Sequence, residues 1–319
     1  MLLSMSHRYV GVMLMWVGLA FFLWGIYFFA KADGDLTILR QAPLPPNAFK
    51  DKVVWITGAS QGIGETLSKE FASHGAKLIL SARRLPELER VKASLSGLHA
   101  PSSVVLLPLD VTGSEDVLRE AVEKAEASFD GKGVDIMVHN ASAARPKHGY
   151  SEISEETTKT SFAVNVIGVI TLTRILAPKM AQRGRGQFAV LSSVAAKIGA
   201  PGQSVYSASK SAQYAYFDAV RSEIGYTGVK VSLICPGPVK TDPTSSDPRQ
   251  SLDRVVELIM KSIFHELDES WIAEQPILAM VYLRQHFPSI ASFIMGKLGP
   301  KRVKTGGGYS LGEMLKKND

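Results

Sequence analysis

Thr57-Gly58-Ala59-Ser60-Gln61-Gly62-Ile63-Gly64 closes an apolar run at 53–57 and opens a helical pattern at 65–73. Glycines between a strand and a helix let the backbone turn tightly and approach a pyrophosphate, which then sits at the helix N-terminus. The spacing is G-x-x-x-G-x-G, distinct from the G-x-G-x-x-G of the larger dehydrogenases. A glycine loop by itself is equally a plain turn. Its place between strand and helix predicts nucleotide binding by Thr57, Gly58, Ser60, Gln61, Gly62, Ile63 and Gly64.

Outward from this turn the pattern repeats. Apolar runs at 53–57, 77–81, 104–109, 134–139, 187–192 and 230–235 read as six buried strands. Amphipathic stretches at 65–73, 86–96, 114–127 and 208–224 read as the helices between them. Strands that are apolar throughout, alternating with helices, imply a parallel sheet covered on both faces. The fold class is therefore α/β, a doubly wound Rossmann-type sheet.

The second strand ends in Ser81-Ala82-Arg83-Arg84. A site for NAD places an acid there to accept from the ribose 2′-hydroxyl, whereas an arginine accommodates a 2′-phosphate. Ala82 removes the acid and Arg83 supplies a planar fork, so the cofactor expected is NADP(H). Two arginines at a strand end are also ordinary solvated surface; the missing acid decides between the readings. Asp110 and Val111, after the third apolar run, are expected beside the adenine.

Tyr206 and Lys210 stand at i and i+4 in Tyr206-Ser207-Ala208-Ser209-Lys210, and so share one helix face. An ammonium near a phenol favours the phenolate and makes it a working acid or base closer to neutrality. Such a pair arises by chance in many helices. Here Ser193 precedes the tyrosine by thirteen residues and the glycine turn lies upstream, a combination that points to carbonyl chemistry.

With these motifs the chain resembles the short-chain dehydrogenases/reductases over about residues 51–245. The residues that carry the resemblance are TGASQGIG at 57–64, the Asp110 turn, Asn140-Ala141, Asn165-Val166 with Gly168, Ser193, YSASK at 206–210, and Pro236-Gly237-Pro238-Val239. The resemblance implies a seven-stranded sheet and catalytic roles for Asn165, Ser193, Tyr206 and Lys210. Tyr206 would exchange a proton with the substrate oxygen, Ser193 would orient that oxygen, Lys210 would bind the nicotinamide ribose, and Asn165 would hold a water. It further implies cofactor contacts from Asn140, Tyr206, Lys210, Pro236, Gly237, Val239 and Thr241, and no metal. His139-Asn140-Ala141-Ser142 departs from the usual Asn-Asn-Ala-Gly, and Ser142 replaces a glycine that would let backbone approach the cofactor. Ala32-Asp33-Gly34-Asp35-Leu36-Thr37 and Trp271-Ile272-Ala273-Glu274-Gln275-Pro276 narrow the resemblance to a membrane-anchored endoplasmic-reticulum branch, of retinal short-chain dehydrogenase/reductase type. That branch implies NADPH-dependent reduction of lipophilic carbonyls such as steroids and retinoids.

Residues 10–30 carry no charge and are rich in Leu, Phe, Trp, Val and Met. At about 1.5 Å per residue they reach roughly 31 Å, the thickness of a hydrocarbon core. Ala30-Lys31-Ala32 has the form of a signal-peptidase site, but the apolar run exceeds a usual signal h-region, so an uncleaved single-pass anchor is expected. Arg8 precedes the span while Lys31 and Arg40 follow it, a slight excess that favours a cytosolic catalytic domain. Lys316-Lys317-Asn318-Asp319 resembles a dilysine retrieval signal of the endoplasmic reticulum, which is read in the cytosol.

The chain thus divides into an anchor at 1–31, a linker at 32–50 containing Pro43, Pro45 and Pro46, an NADP-binding catalytic domain at 51–245, and a helical extension at 246–319. Two apolar stretches in the extension, 277–283 and 290–298, are too short to span a bilayer and are interrupted by Arg284, His286 and Pro288. They are expected to wall a substrate pocket, or to touch a membrane surface given Lys297, Lys301, Arg302 and Lys304. The net charge of +6 over 319 residues shows no clustered patch of the kind nucleic acid requires. Cys235, the single cysteine, excludes an intrachain disulfide. Two rival readings stay open: an oxidative NAD(P)-dependent alcohol dehydrogenase, and a low-turnover nucleotide-binding scaffold at the membrane. Association as a homodimer is left open as well.

Overall fold

The computed structural model describes residues 2–145, 147–240 and 250–305. Strands β1 (Val53–Thr57), β2 (Lys77–Ser81), β3 (Val105–Leu106), β4 (Ile136–His139), β5 (Gly186–Leu191), β6 (Val229–Pro236), β7 (Val239–Lys240), β8 (Gln250–Ser251) and β9 (Glu269–Ile272) appear in chain order. Seven of them form one parallel sheet ordered β3-β2-β1-β4-β5-β6-β9, and β7 pairs with β8 separately. Chain order reverses between β1 and β4, and a crevice outside the carboxyl ends of the strands is where ligands bind in such sheets.

The central strands β1, β2, β4, β5 and β6 are largely apolar because both their faces are covered. On one face Val54 and Ile56 of β1 pack with Leu67 and Phe71 of helix Gly62–Ser73, Leu88 of helix Leu85–Ala93, and Val255 and Ile259 of helix Leu252–Phe264. On the other, Val53 and Trp55 pack with Leu118 and Val122 of helix Glu115–Gly131, Leu172 and Leu176 of helix Gly168–Gln182, and Phe217 of helix Ser204–Ile224. Helices Glu155–Phe162 and Gly168–Gln182 run on through a π-helical turn at Ala163–Ile167. Their joint stretch is long and apolar enough to cross a bilayer, yet Val169, Leu172, Leu176 and Met180 are buried against the sheet, so it is a core helix.

Two readings of the sequence change here. The apolar run at 104–109 pairs as a strand only at Val105–Leu106; beyond it the Leu107 and Leu109 amides still donate to Leu80 and Ala82 carbonyls at 2.9 and 3.0 Å. The region after 251, read as helical, contains β9, which closes the sheet beside β6. A four-residue strand at the sheet edge, with Glu269 and Ser270 in it, has no apolar run to announce it.

Helix Leu2–Lys31 contains a 23-residue apolar stretch, Tyr9–Lys31, none of it buried inside the protein. Past its end the chain lies on the catalytic domain. Ala32 shares a small core with Leu278 and Val281, and buried Asp35 caps helix Leu36–Leu39 by accepting from the Thr37 and Ile38 amides at 2.7 and 3.1 Å. Asp35 also accepts from the Trp271 amide of β9, while Arg254 pairs with Asp33 at 2.7 Å. Helices Ile277–His286 and Pro288–Thr305 end the described chain.

Candidate active site

A cleft of about 680 Å³ runs across the carboxyl ends of β1, β2, β4, β5 and β6. At one end the glycine turn is locked by hydrogen bonds. Thr57 Oγ1 donates to the Val138 carbonyl at 3.1 Å, and Asn140 Nδ2 donates to the carbonyls of Thr57 and Gly58 at 2.9 and 3.0 Å. Gly58 adopts φ +67°, a region that favours glycine, and a Cβ there would lie 2.9 Å from Ala141 Cα. A Cβ at Gly64 would come within 2.2 Å of the Gly58 carbonyl oxygen. The start of helix Gly62–Ser73 therefore lies against the turn; no side chain caps it, and Ser60, Gln61, Gly62 and Ile63 line the cleft there.

Arg90 was not foreseen. Its guanidinium donates to the Ser60 carbonyl at 2.9 Å and pairs with Glu65 at 2.8 Å, bracing the turn from outside. Those bonds hold the Glu65 carboxyl down at about 2, with Arg90 the main cause. No spacing rule links residues 60, 65 and 90, so the brace is invisible in sequence.

Ala82, Arg83, Asp110 and Val111 line the same end of the cleft. The Asp110 carboxylate accepts from the Thr112 amide and hydroxyl at 2.9 and 2.8 Å; these bonds, with a further pull from Arg83, hold its pKa below the usual carboxylate range. The donor-rich glycine turn, the close backbone approach and the cationic Arg83 together fit a dinucleotide. Ser142 also lines the cleft, its hydroxyl 3.4 Å from the Ala143 carbonyl.

The other end gathers Ser193, Tyr206 and Lys210. Ser193, just past β5, accepts from the Ala195 amide at 3.1 Å and donates to the Pro236 carbonyl at 3.3 Å. Lys210 is buried, with Nζ donating to the Leu191 carbonyl at 2.7 Å and to Gln213 Oε1 at 3.2 Å. Burial, reinforced by the charge of Arg145, pushes its pKa down to about 7. Asn165 sits fully buried in the π-turn, accepting from the Ala143 amide and donating to Ser209 Oγ, both at 2.9 Å. Ser209 in turn donates to the Tyr206 carbonyl at 2.8 Å, so the Asn165 side chain ties the 140s loop to the helix bearing the tyrosine. Arg145, unremarked in the sequence, places its guanidinium 5.5 Å from the Tyr206 ring centroid.

This arrangement decides the family. The chain belongs to the short-chain dehydrogenase family. The family model for short chain dehydrogenase matches residues 52–251. Similar proteins include Dehydrogenase/reductase SDR family member 7 of Homo sapiens, 36% identical over 298 residues that cover 86% of this chain and 87% of that protein. The Mus musculus protein of the same name is 34% identical over the same shares. Among solved structures, a metagenomic short-chain oxidoreductase in complex with NADP aligns with a TM-score of 0.59, at 23% identity, covering 71% of this chain and 96% of the other; it supports the fold. The chain is thus an oxidoreductase of NAD(P)-using type.

Of the residues singled out in the sequence, Thr57, Gly58, Ser60–Ile63, Arg83, Asp110, Val111, Asn140, Ser193, Tyr206, Lys210, Pro236, Gly237 and Val239 line one cleft, with Gly64 and Asn165 directly behind it. Thr241 and the terminal Lys316-Lys317 lie outside the described residues. Among the described residues, none after Val239 lines this cleft; the C-terminal helices reach its surrounding loops instead.

Proposed function

We propose that the protein is a membrane-anchored, NADPH-dependent reductase of lipophilic carbonyl compounds of steroid or retinoid type, in the endoplasmic-reticulum membrane with its catalytic domain on the cytosolic side. The observation that carries this reading is one cleft with Ala82 and Arg83 at its ribose end and Ser193, Tyr206 and Lys210 at the other. When bound, NADPH supplies the hydride. Tyr206 gives its hydroxyl proton to the carbonyl oxygen, turning the substrate into an alcohol. Ser193 Oγ, loosely held on the Pro236 carbonyl, swings to hydrogen-bond that oxygen and fix its direction. Lys210, whose pKa burial lowers to about 7, binds ribose hydroxyls. Asn165 secures the tyrosine helix through Ser209 and holds a water leading from Lys210 to solvent.

Tyr9–Lys31 supports the membrane placement, and the terminal lysine pair supports the compartment. The test is a panel of steroid ketones, retinal and quinones, assayed for NADPH oxidation with detergent-solubilised protein, beside Tyr206→Phe. Substrate-dependent turnover that falls about 10²–10⁴-fold in the variant is expected. Absence of turnover across the panel, or equal rates in both proteins, would sink the reading.

A further inference from the structure

Helix Pro288–Thr305 is apolar on two sides. Inward, Ala291 is buried, and Gly299 lies against Pro201, with 3.5 Å from an added Cβ to the proline ring. Cβ atoms built at Gly149 and Gly202 would touch Val303 at 3.8 and 4.0 Å, so this helix backs the two loops beside the catalytic cleft. Outward, where a helix on a soluble protein presents polar residues, Ile290 and Phe293 are 52% and 68% exposed. Phe287, at the bend before the helix, is 59% exposed.

The charge on this part of the chain is one-sided. Residues 275–305 contain five Lys or Arg and not one Asp or Glu. Lys297 and Lys304 lie on the exposed face, and the Lys297 ammonium sits 5.6 Å from the Phe293 ring centroid. Aromatic and aliphatic side chains interleaved with lysines suit the boundary between acyl chains and anionic headgroups.

Position agrees with chemistry. The membrane-side helix Leu2–Lys31 is held against the preceding helix, Ile277–His286: Phe29 meets the Tyr282 ring at 5.7 Å, and Gln275 Nε2 donates to the Phe29 carbonyl at 2.9 Å. Arg284 then ties the two C-terminal helices together, donating to Ser292 Oγ at 2.7 Å. The apolar face therefore begins one short helix away from where the chain leaves the bilayer.

We propose that the outward face of helix Pro288–Thr305 lies in the interface of the same membrane that Tyr9–Lys31 crosses, seating the catalytic domain on lipid. This rests on the reading of the N-terminal helix as an anchor. The seated face puts the loops at 148–149 and 201–202 at the lipid boundary, so a membrane-dissolved substrate reaches the cleft without crossing water.

Cys235 is buried, so an introduced cysteine can be labelled selectively. Gly18, Gly225 and Gly296 all have open space where a side chain would start. The full chain carrying Gly296→Cys, Gly18→Cys or Gly225→Cys is spin-labelled and reconstituted in phosphatidylcholine–phosphatidylserine vesicles. Accessibility to lipid-soluble oxygen is then compared with accessibility to an aqueous nickel chelate. The proposal expects an oxygen-to-nickel ratio several-fold higher at 18 and at 296 than at 225. Ser289→Cys supplies a second site on the same face should the glycine variant fold poorly. A lipid-exposed label at 18 with water-exposed labels at 296 and 289 overturns the seating and leaves the anchor intact. A label at 296 shielded from both reagents reports a protein partner and also overturns it. Water exposure at 18 overturns the anchor and the seating with it.

Discussion

Lys210 Nζ lies 2.7 Å from the carbonyl oxygen of Leu191, the last residue of β5, so the ammonium of the tyrosine helix is anchored to the end of the sheet. This contact brings the charge into a fully buried position, where burial pushes its pKa down to about 7. In the unfolded chain a lysine titrates near 10.4. Between these values the unfolded state binds more protons than the folded one, so stability rises with pH across that window.

Urea unfolding of the cofactor-free protein and of Lys210→Met, from pH 7 to pH 10, isolates this group. The wild type is expected to gain on the variant by roughly 1 kcal/mol per pH unit. A constant difference over the range would show that Lys210 does not titrate there.

His139 acts with the same sign in the acid range. Its ring is buried, stacked on Phe188 at 5.9 Å, and bonded through Nε2 to Thr173 Oγ1 at 2.9 Å. Burial first, and the Lys210 charge second, push its pKa down to about 3. Its stabilising contribution is complete above the unfolded value near 6.5 and is lost as pH falls towards 3. His139→Asn, which restores the residue usual in the family, should be less sensitive to acid over that range, at a cost of about 1–3 kcal/mol at neutral pH from lost packing. Matching acid-unfolding curves for the two proteins would contradict this.

Arg83 is expected to set the choice between NADPH and NADH. Removing a guanidinium that meets a phosphate typically costs about 1.5–3 kcal/mol. Arg83→Ala should therefore weaken NADPH binding by roughly ten- to a hundredfold while leaving NADH binding nearly unchanged. Fluorescence titration of both nucleotides measures it; equal losses for the two would assign Arg83 to the surface.

Asp35 fastens the chain leaving the N-terminal helix to β9. It accepts from the amides of Thr37, Ile38 and Trp271 in a buried setting. Asp35→Ala leaves those donors without a partner and should lower stability by about 2 kcal/mol or more, seen as a drop of several degrees in melting temperature. NADPH affinity should be unaffected, because the residue does not line the cleft. An unchanged melting temperature would mean the segment is not held there in solution.

How far the sequence reaches follows from the range of each interaction. The glycine turn, the i, i+4 pair of Tyr206 and Lys210, and the apolar N-terminal run are local patterns; periodicity and backbone sterics fix them within a dozen or two residues. With the alternation of apolar runs and helical patterns they sufficed for the doubly wound sheet and for the two ends of the cleft, the glycine turn and the Tyr206–Lys210 pair. They did not suffice for Thr112, Ala143, Arg145, Thr160 or Val164, which line it as well. The tertiary structure alone decided what acts across the chain: β9 taken into the sheet beside β6, Arg90 clamped on Ser60 and Glu65, Asn165 tied to Ser209, Arg145 over Tyr206, and Asp35 on Trp271. Polar pairs of that kind follow no repeat. Their partners are chosen by which surfaces meet when the sheet closes, and a linear pattern carries no record of it.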